Sequence, residues 1–228
     1  ISNGTGVGSF ICNLAELVDG TTYYIRAYAT NSKGTNYGHV ESFTTIPASG
    51  VENGHQWVDL GLSVKWATCN IGATSSEAYG DYFAWGETSP KSSYSWNNYK
   101  YYDVSNSSII KYHIEKDKKE TLESIDDAAT VNWGGRWRMP TTAEISELRS
   151  KCTWTWTKNY MNTGVSGYIV SSNKAENNNS IFLPAAGYQT DAWIRYVGTG
   201  GYYWYATLYD SIRAIYLNFD SDEVTWYQ

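Results

Sequence analysis

From Lys119 to Trp156 the chain reads KETLESIDDAATVNWGGRWRMPTTAEISELRSKCTWTW, and the fold class turns on how this stretch is divided. In its first half Leu122, Ile125 and Ala129 recur at i, i+3 and i+7, which predicts an amphipathic helix stopped by Gly134 and Gly135. In its second half Thr141 and Glu144 have the spacing of a capping box, and Ile145, Leu148 and Cys152 fall on one face of a second helix. After Trp156 the helical period does not return. GYIVSS (167–172), SIFLPAAGY (180–188), GYYWYAT (201–207) and AIYLNF (214–219) read as strands or extended loops. Upstream, from His55 to Glu87, short β-prone pieces are broken by Gly at irregular intervals. Two helices followed by a loop-rich β half predict an α+β domain.

Further toward the N-terminus the texture is different. From Tyr23 to Thr30 residues alternate, with Tyr23, Ile25, Ala27 and Ala29 on one face and Tyr24, Arg26, Tyr28 and Thr30 on the other, the period of a half-buried strand. NSKG then supplies a turn and GHVESFTT a returning strand. The spacing of Leu17, Gly20, Thr21 and Tyr23 resembles the tyrosine corner of fibronectin type III and other Ig-like sandwiches. Residues 1–46 are therefore expected to be the C-terminal part of such a domain, acting as a spacer. IPASGVENG reads as a Pro/Gly/Ser joint, so 47–54 is expected to be a linker and 55–228 the second domain.

Composition excludes several functions. The net charge is −6, and no stripe of Lys or Arg runs through the 228 residues, which argues against a nucleic-acid partner. No apolar run approaches the ~20 residues of a membrane span, so no membrane insertion is expected in this segment, and no signal peptide is visible. Cys12, Cys69 and Cys152 lie far apart without CxxC spacing and read as buried thiols, with one bridge left open. His39, His55 and His113 are isolated, so no metal and no cofactor is expected. Asp126 and Asp127 are adjacent on the expected helix and diverge, GVSG at Gly164 lacks the spacing of a nucleophile elbow, and Glu144 is better read as a cap than as an acid. The chain is read as non-enzymatic.

Several motifs in order, HQWVDLGLSVKWATCNIGA, YGDYFAWGET, DAATVNWGGRWRMPTTAEISELRSKCTWTW, SIFLPAAGY and GYYW, resemble the major-paralogous (FISUMP) domain over residues 55–228. That resemblance implies a C-type lectin-like fold, with two helices, small twisted antiparallel sheets and long ordered loops. It also implies a cell-surface, outer-membrane-anchored or secreted protein of a Gram-negative bacterium, or a phage virion protein. Family members continue into a further strand that pairs with the first strand of the domain, whereas here the sequence ends at Trp226-Tyr227-Gln228. The copper site of the related formylglycine-generating enzymes needs cysteines in the C-terminal half, and none follows Cys152. A lectin-type calcium site would draw on Glu176 to Asn179 and on Asn218 and Asp220, and neither group matches it well.

What remains is aromatic. From Tyr188 to Gln228 there are 12 aromatic residues in 41, against 16% in the chain as a whole, with Arg195 and Arg213 but no lysine. Tyrosine with arginine, padded by Ser, Gly and Asp, is the composition of binding surfaces. The expected ligand-binding residues are Trp193, Arg195, Tyr196, Tyr202, Tyr205, Tyr209, Asp210, Ile212, Arg213, Tyr216 and Trp226, with Tyr205, Tyr209, Arg213 and Tyr216 on one solvent-facing patch. Val197, Gly198, Trp204, Leu217 and Phe219 read as scaffold.

The resemblance also extends to the variable proteins of diversity-generating retroelements, which randomise adenines chiefly in Asn AAC codons. Arg195, Tyr196, Tyr202, Tyr205, Tyr209, Ile212, Arg213 and Tyr216 are reachable from AAC by that chemistry, while Trp193 and Trp226 are not. Three readings stay open: a hypervariable face, an ordinary adhesin or glycan-binding module, and a structural pilus or envelope subunit. The first two imply a protein or glycan ligand on another cell, host or phage surface.

Overall fold

The computed structural model describes residues 4–6, 8–15, 17–18, 20–45 and 48–227, which fall into two compact units, Ile1–Ala48 and Ser49–Gln228. In the first unit, β1 (Thr22–Asn31) and β2 (Gly34–Thr44) form an antiparallel ribbon closed by a two-residue turn at Ser32-Lys33. Asn31 shapes that turn by accepting the Lys33 N–H at 2.8 Å, and Gly34 supplies a φ of +137°. The Tyr23 hydroxyl accepts the Val18 N–H at 2.7 Å, a tie from the strand back to the chain five residues upstream. The alternation of β1 is present but its burial is not: Ile25 is 42% exposed, because a two-stranded ribbon has no second layer to cover either face.

The second unit begins earlier than the sequence predicts. Residues 49–52, expected as linker, form β3 (Ser49–Glu52), which turns through Asn53-Gly54 and pairs with β4 (His55–Val58). Asn53 and Gly54 both have positive φ (48° and 86°), the type I′ geometry that Asn-Gly favours between two strands. β4 also pairs with β5 (Trp66–Ala67), so it is hydrogen-bonded on both sides. The short ribbon of β6 (Tyr102–Asp103) and β7 (Ser108–Ile109) follows in the long loop region.

The α+β, C-type lectin-like expectation is overturned. Among the described residues α-helix is limited to α1 (Ala128–Trp133), six residues, and α2 (Thr142–Lys151), ten residues, set among small antiparallel sheets, and the unit is mostly β. The first expected helix forms only in its last part, as α1 stopped at Gly134, and its first part fails for a physical reason. Thr121 bridges Thr207 and the Leu122 N–H donates to the Ala206 carbonyl at 2.9 Å, so this segment is extended and pairs with a distant strand. Long-range pairing overrides local periodicity, and Ile125 ends 71% exposed. α1 starts only where Asp127 caps it, accepting the Thr130 N–H at 2.9 Å. α2 does carry its capping box: Thr141 accepts from the Glu144 N–H, and the Glu144 carboxylate accepts the Thr141 N–H at 2.8 Å. Arg138 pairs with the Glu144 carboxylate and is the main reason its pKa is held at about 2.

α2 runs straight into β8 (Cys152–Thr157), which pairs with β9 (Gly167–Ser172), and β9 with β10 (Ser180–Pro184). A hairpin of β11 (Tyr188–Thr190) and β12 (Trp193–Arg195) leads to the last sheet, β13 (Gly201–Leu208), β14 (Ala214–Phe219) and β15 (Val224–Tyr227), all antiparallel. The main core lies between these layers: Ile145 and Leu148 of α2 and Val170 of β9 pack with Tyr205, Leu217 and Phe219 of the last sheet. Burying each such side chain stabilises the fold by roughly 1.5–3 kcal/mol. Gly201 is required here, because a Cβ at that position would run into the Phe219 ring.

A second, smaller core holds the loop region. Trp85, Tyr101, Tyr112 and Leu208 pack together, and the Trp85 indole N–H donates to the Tyr205 carbonyl at 2.7 Å. Beneath it Asp126, 1% exposed, accepts from Tyr112 Oη at 2.7 Å and Lys100 Nζ at 2.9 Å, and from Lys111. Burial works to raise the Asp126 carboxyl, but the hydrogen bonds from Lys111 and its neighbours win and hold it well below the usual carboxylate range. Asp126 and Asp127 therefore diverge into two structural duties, a buried ion cluster and a helix cap.

Candidate binding face

The register of the last sheet sorts its aromatic residues. Trp204 faces Tyr216 across the strands, and Tyr202 faces Asn218, so these four side chains share the outer face. Tyr203, Tyr205, Ile215, Leu217 and Phe219 alternate to the inner face. β15 sets Tyr227 opposite Tyr216 and extends the outer row.

The result is a continuous row of rings. Tyr202 and Tyr216 have centroids 6.0 Å apart, Tyr216 and Tyr227 6.2 Å, and Trp204 meets Tyr216 edge-on at 5.4 Å. The β11–β12 hairpin lengthens the row: Tyr188 lies 4.8 Å from Tyr202, and Tyr196 lies 5.7 Å from Tyr188. Trp204 is fixed in place by donating its indole N–H to the Phe83 carbonyl at 3.0 Å. Backbone bonds between Tyr94 and Asp191, at 2.8 and 2.9 Å, fasten the hairpin to the loop before it. Burial raises the phenol pKa of both Tyr202 and Tyr216, and neighbouring tyrosines push the same way, so both hydroxyls stay protonated at neutral pH and are available as donors.

A second cluster occupies the β13–β14 loop. Asp210 accepts the N–H groups of Ile212 (3.0 Å) and Arg213 (2.9 Å), and its other oxygen accepts the Arg213 Nε at 2.8 Å. The Arg213 guanidinium lies 4.8 Å over the Tyr209 ring, and Tyr209 meets Trp226 at 6.2 Å. These contacts hold the loop in one shape and leave Asp210 and Arg213 satisfied by each other. Ile212 is 64% exposed beside a pocket of about 380 Å³ lined by Trp96, Tyr102 and Ile109.

The structure thus redistributes the expected site. Tyr196, Tyr202 and Tyr216 join one row of rings, whereas Tyr209, Asp210, Arg213 and Trp226 form the separate loop cluster. Trp193 and Arg195 are exposed on β12. Tyr205 is removed from the site: it is 2% exposed in the main core, so the single patch expected of Tyr205, Tyr209, Arg213 and Tyr216 does not form. The reason is strand parity, since Tyr205 follows the outward Trp204 and must point inward with Leu217 and Phe219. Sequence reasoning also missed Tyr188, Tyr227 and Trp96. Parity counted from Tyr202 would have excluded Tyr205; nothing local marks Tyr188, which a separate hairpin brings in.

The other candidates are structural. Asn177 and Asn179 donate their amides to the Asp59 carbonyl, each at 2.9 Å, which ties the loop from Glu176 to Asn179 to the chain at Asp59. Cys12 is exposed, Cys69 half-buried and Cys152 buried, all three as free thiols, so Cys12 departs from the expected burial. His55 stacks on Trp133 at 4.3 Å. Among the described residues no group of three or more His, Cys, Asp or Glu side chains is placed to hold a metal ion, and no helix is long and apolar enough to cross a membrane. Comparison with known family models, curated proteins and solved structures found no match.

Proposed function

We propose that this chain is a non-enzymatic, surface-displayed ligand-binding protein, and that its recognition surface is the outer face of β13–β15 with the adjoining β11–β12 hairpin. One observation carries the reading. Tyr202, Tyr216 and Tyr227 stand half-buried or exposed in one row on the last sheet, continued by Tyr196 beside the hairpin, while the opposite face carries the buried Tyr205, Leu217 and Phe219. Tyrosine gives large, rigid contact area with a polar tip at small entropic cost, and a contiguous exposed patch of it is the mark of an interaction surface. The ordered motifs from His55 to Trp204 that resemble the major-paralogous family support surface display.

The same face is diversified by adenine-directed retroelement copying. Its outward positions at 196, 202 and 216 hold residues reachable from an AAC codon, while inward Leu217 and Phe219 read as scaffold. Tyr205, now in the core, belongs with the scaffold and is expected to be fixed. The gene tests this directly: a downstream near-repeat differing only at adenines, beside a reverse transcriptase, is the expected result. Differences at other bases, or no repeat, leave a fixed adhesin that uses the same face. Loss of neither protein nor glycan binding on removing Tyr202 and Tyr216 would refute the binding face itself.

A further inference from the structure

The last stretch of the chain carries charge of one dominant sign. From residue 175 to the end there are six carboxylates against two arginines and no lysine. Asp210 and Arg213 neutralise each other in the β13–β14 loop. At the β14–β15 turn Asp220, Asp222 and Glu223 are all exposed, and among the described residues no Lys or Arg forms a salt bridge with any of them. Asp220 shapes this turn by accepting the Asp222 and Glu223 N–H groups at 2.9 and 3.1 Å, which holds the carboxylates together at the strand end next to the Tyr202–Asn218 pair. Asp220 lies two residues beyond Asn218, the cross-strand partner of Tyr202, and its charge contributes to the raised pKa of the Tyr202 phenol. The opposing charges are Arg149, whose guanidinium donates to the Val224 carbonyl at 2.8 Å beside this turn, and Arg195, exposed on β12.

We propose that the ligand taken by this face is a cationic protein segment that lays arginine guanidinium groups over the Tyr202, Tyr216 and Tyr227 rings, with Asp220, Asp222 and Glu223 balancing its charge. The rings are spaced about one side chain apart and inclined by 37° and 27° to each other, and Tyr227 at the edge is 49% exposed. A guanidinium is planar, weakly hydrated and attracted to an aromatic face within roughly 6 Å of its centroid. The chain makes this contact twice within itself, with Arg213 over Tyr209 at 4.8 Å and Arg26 over Tyr37 at 3.9 Å. A phosphate-bearing ligand would be repelled by the carboxylates, and a neutral glycan would meet them only as hydrogen-bond acceptors, without charge attraction.

This inference rests on the binding-face reading, and the test separates the two. The full chain is immobilised at physiological salt and titrated with a short peptide of alternating arginine and serine. Matched peptides carry lysine, citrulline or glutamate in place of arginine, and an array of neutral oligosaccharides is run in parallel. The arginine peptide is expected to bind about tenfold more tightly than its uncharged citrulline twin, with lysine between them. A Tyr202→Ala/Tyr216→Ala double variant, which leaves the charge unchanged, should weaken it by a similar factor. Tyr227→Ala serves as the exposed alternative if the double variant melts early. Asp222→Asn with Glu223→Gln should weaken binding about threefold and Arg195→Ala should strengthen it by about as much.

Equal affinity for the citrulline peptide, or indifference to the tyrosine variants, overturns the cationic ligand. Oligosaccharide binding that depends on Tyr202 and Tyr216, with no arginine-peptide binding, overturns it while keeping the face. If nothing bound depends on these tyrosines, both readings fall.

Discussion

Tyr205 and Tyr216 sit on neighbouring strands of the same sheet and have opposite fates. Tyr205 points inward, is 2% exposed, and burial pushes its phenol up to about 12. Tyr216 points outward, half-buried, among Tyr202, Trp204 and Tyr227. Residue type does not distinguish them; strand parity does. The inner face is held by Leu217 and Phe219 against α2 and β9, whereas on the outer face Trp204 and Ala214 pack on the second core and Tyr202, Tyr216 and Tyr227 stay half-buried or exposed. A chain can carry that much tyrosine because one population is structural and the other is on display.

The comparison breaks most sharply at Phe219. Its side chain is fully buried between both sheets, so Phe219→Ala should cost about 3–5 kcal/mol, read as a lowered urea midpoint with an unchanged slope. Tyr216→Ala, on the other face, should cost no more than about 1 kcal/mol. Equal losses would mean that the outer row is core as well.

Asp126 comes next. Asp126→Asn removes the buried charge that Lys100 and Lys111 share, and because Lys111 keeps Glu123 and Lys100 is half exposed it should destabilise by about 1–2 kcal/mol. The loss should appear in the loop region around Trp85 and Tyr112, by hydrogen exchange, before it reaches the main core.

The same cluster gives a pH dependence. The folded carboxyl of Asp126 is held below its unfolded value of about 3.9, so the unfolded chain takes up the proton first. Its contribution is fully present above about pH 4 and is lost as pH falls below that. Glu144, held at about 2 by Arg138, acts in the same direction over the same range. Urea midpoints measured between neutral pH and acid should therefore fall in the wild type and fall less in Asp126→Asn.

The smallest expected effect is at the α2 cap. Thr141→Ala removes the acceptor for the Glu144 N–H and should cost about 1 kcal/mol, leaving ligand binding untouched. A thermal melt read alongside binding checks both halves of that statement.

How much of this was legible in the sequence differs between elements. The α2 capping box and the alternation of Tyr23 to Thr30 are local, and the sequence pattern places both. Asn53-Gly54 was legible too, as a hairpin turn, but the Pro/Gly/Ser composition around it suggests a linker instead. The helix expected through Leu122 and Ile125 was not correctable from the sequence. Its competitor is a pairing between Thr121 and Thr207, and no local pattern announces a partner so far along the chain. The α+β class fell with it. In the site, the split between outer and inner tyrosines follows from counting by two along GYYWYAT, but the β13–β14 register and the approach of Tyr188 come only from the assembled fold.

The most direct test of the two-faced sheet is the pattern of natural variation across copies of this gene. The account predicts substitutions concentrated at codons 196, 202 and 216, at adenines, with Tyr205, Leu217 and Phe219 constant. Variation spread equally over the inward and outward positions, or constancy at both, would contradict it.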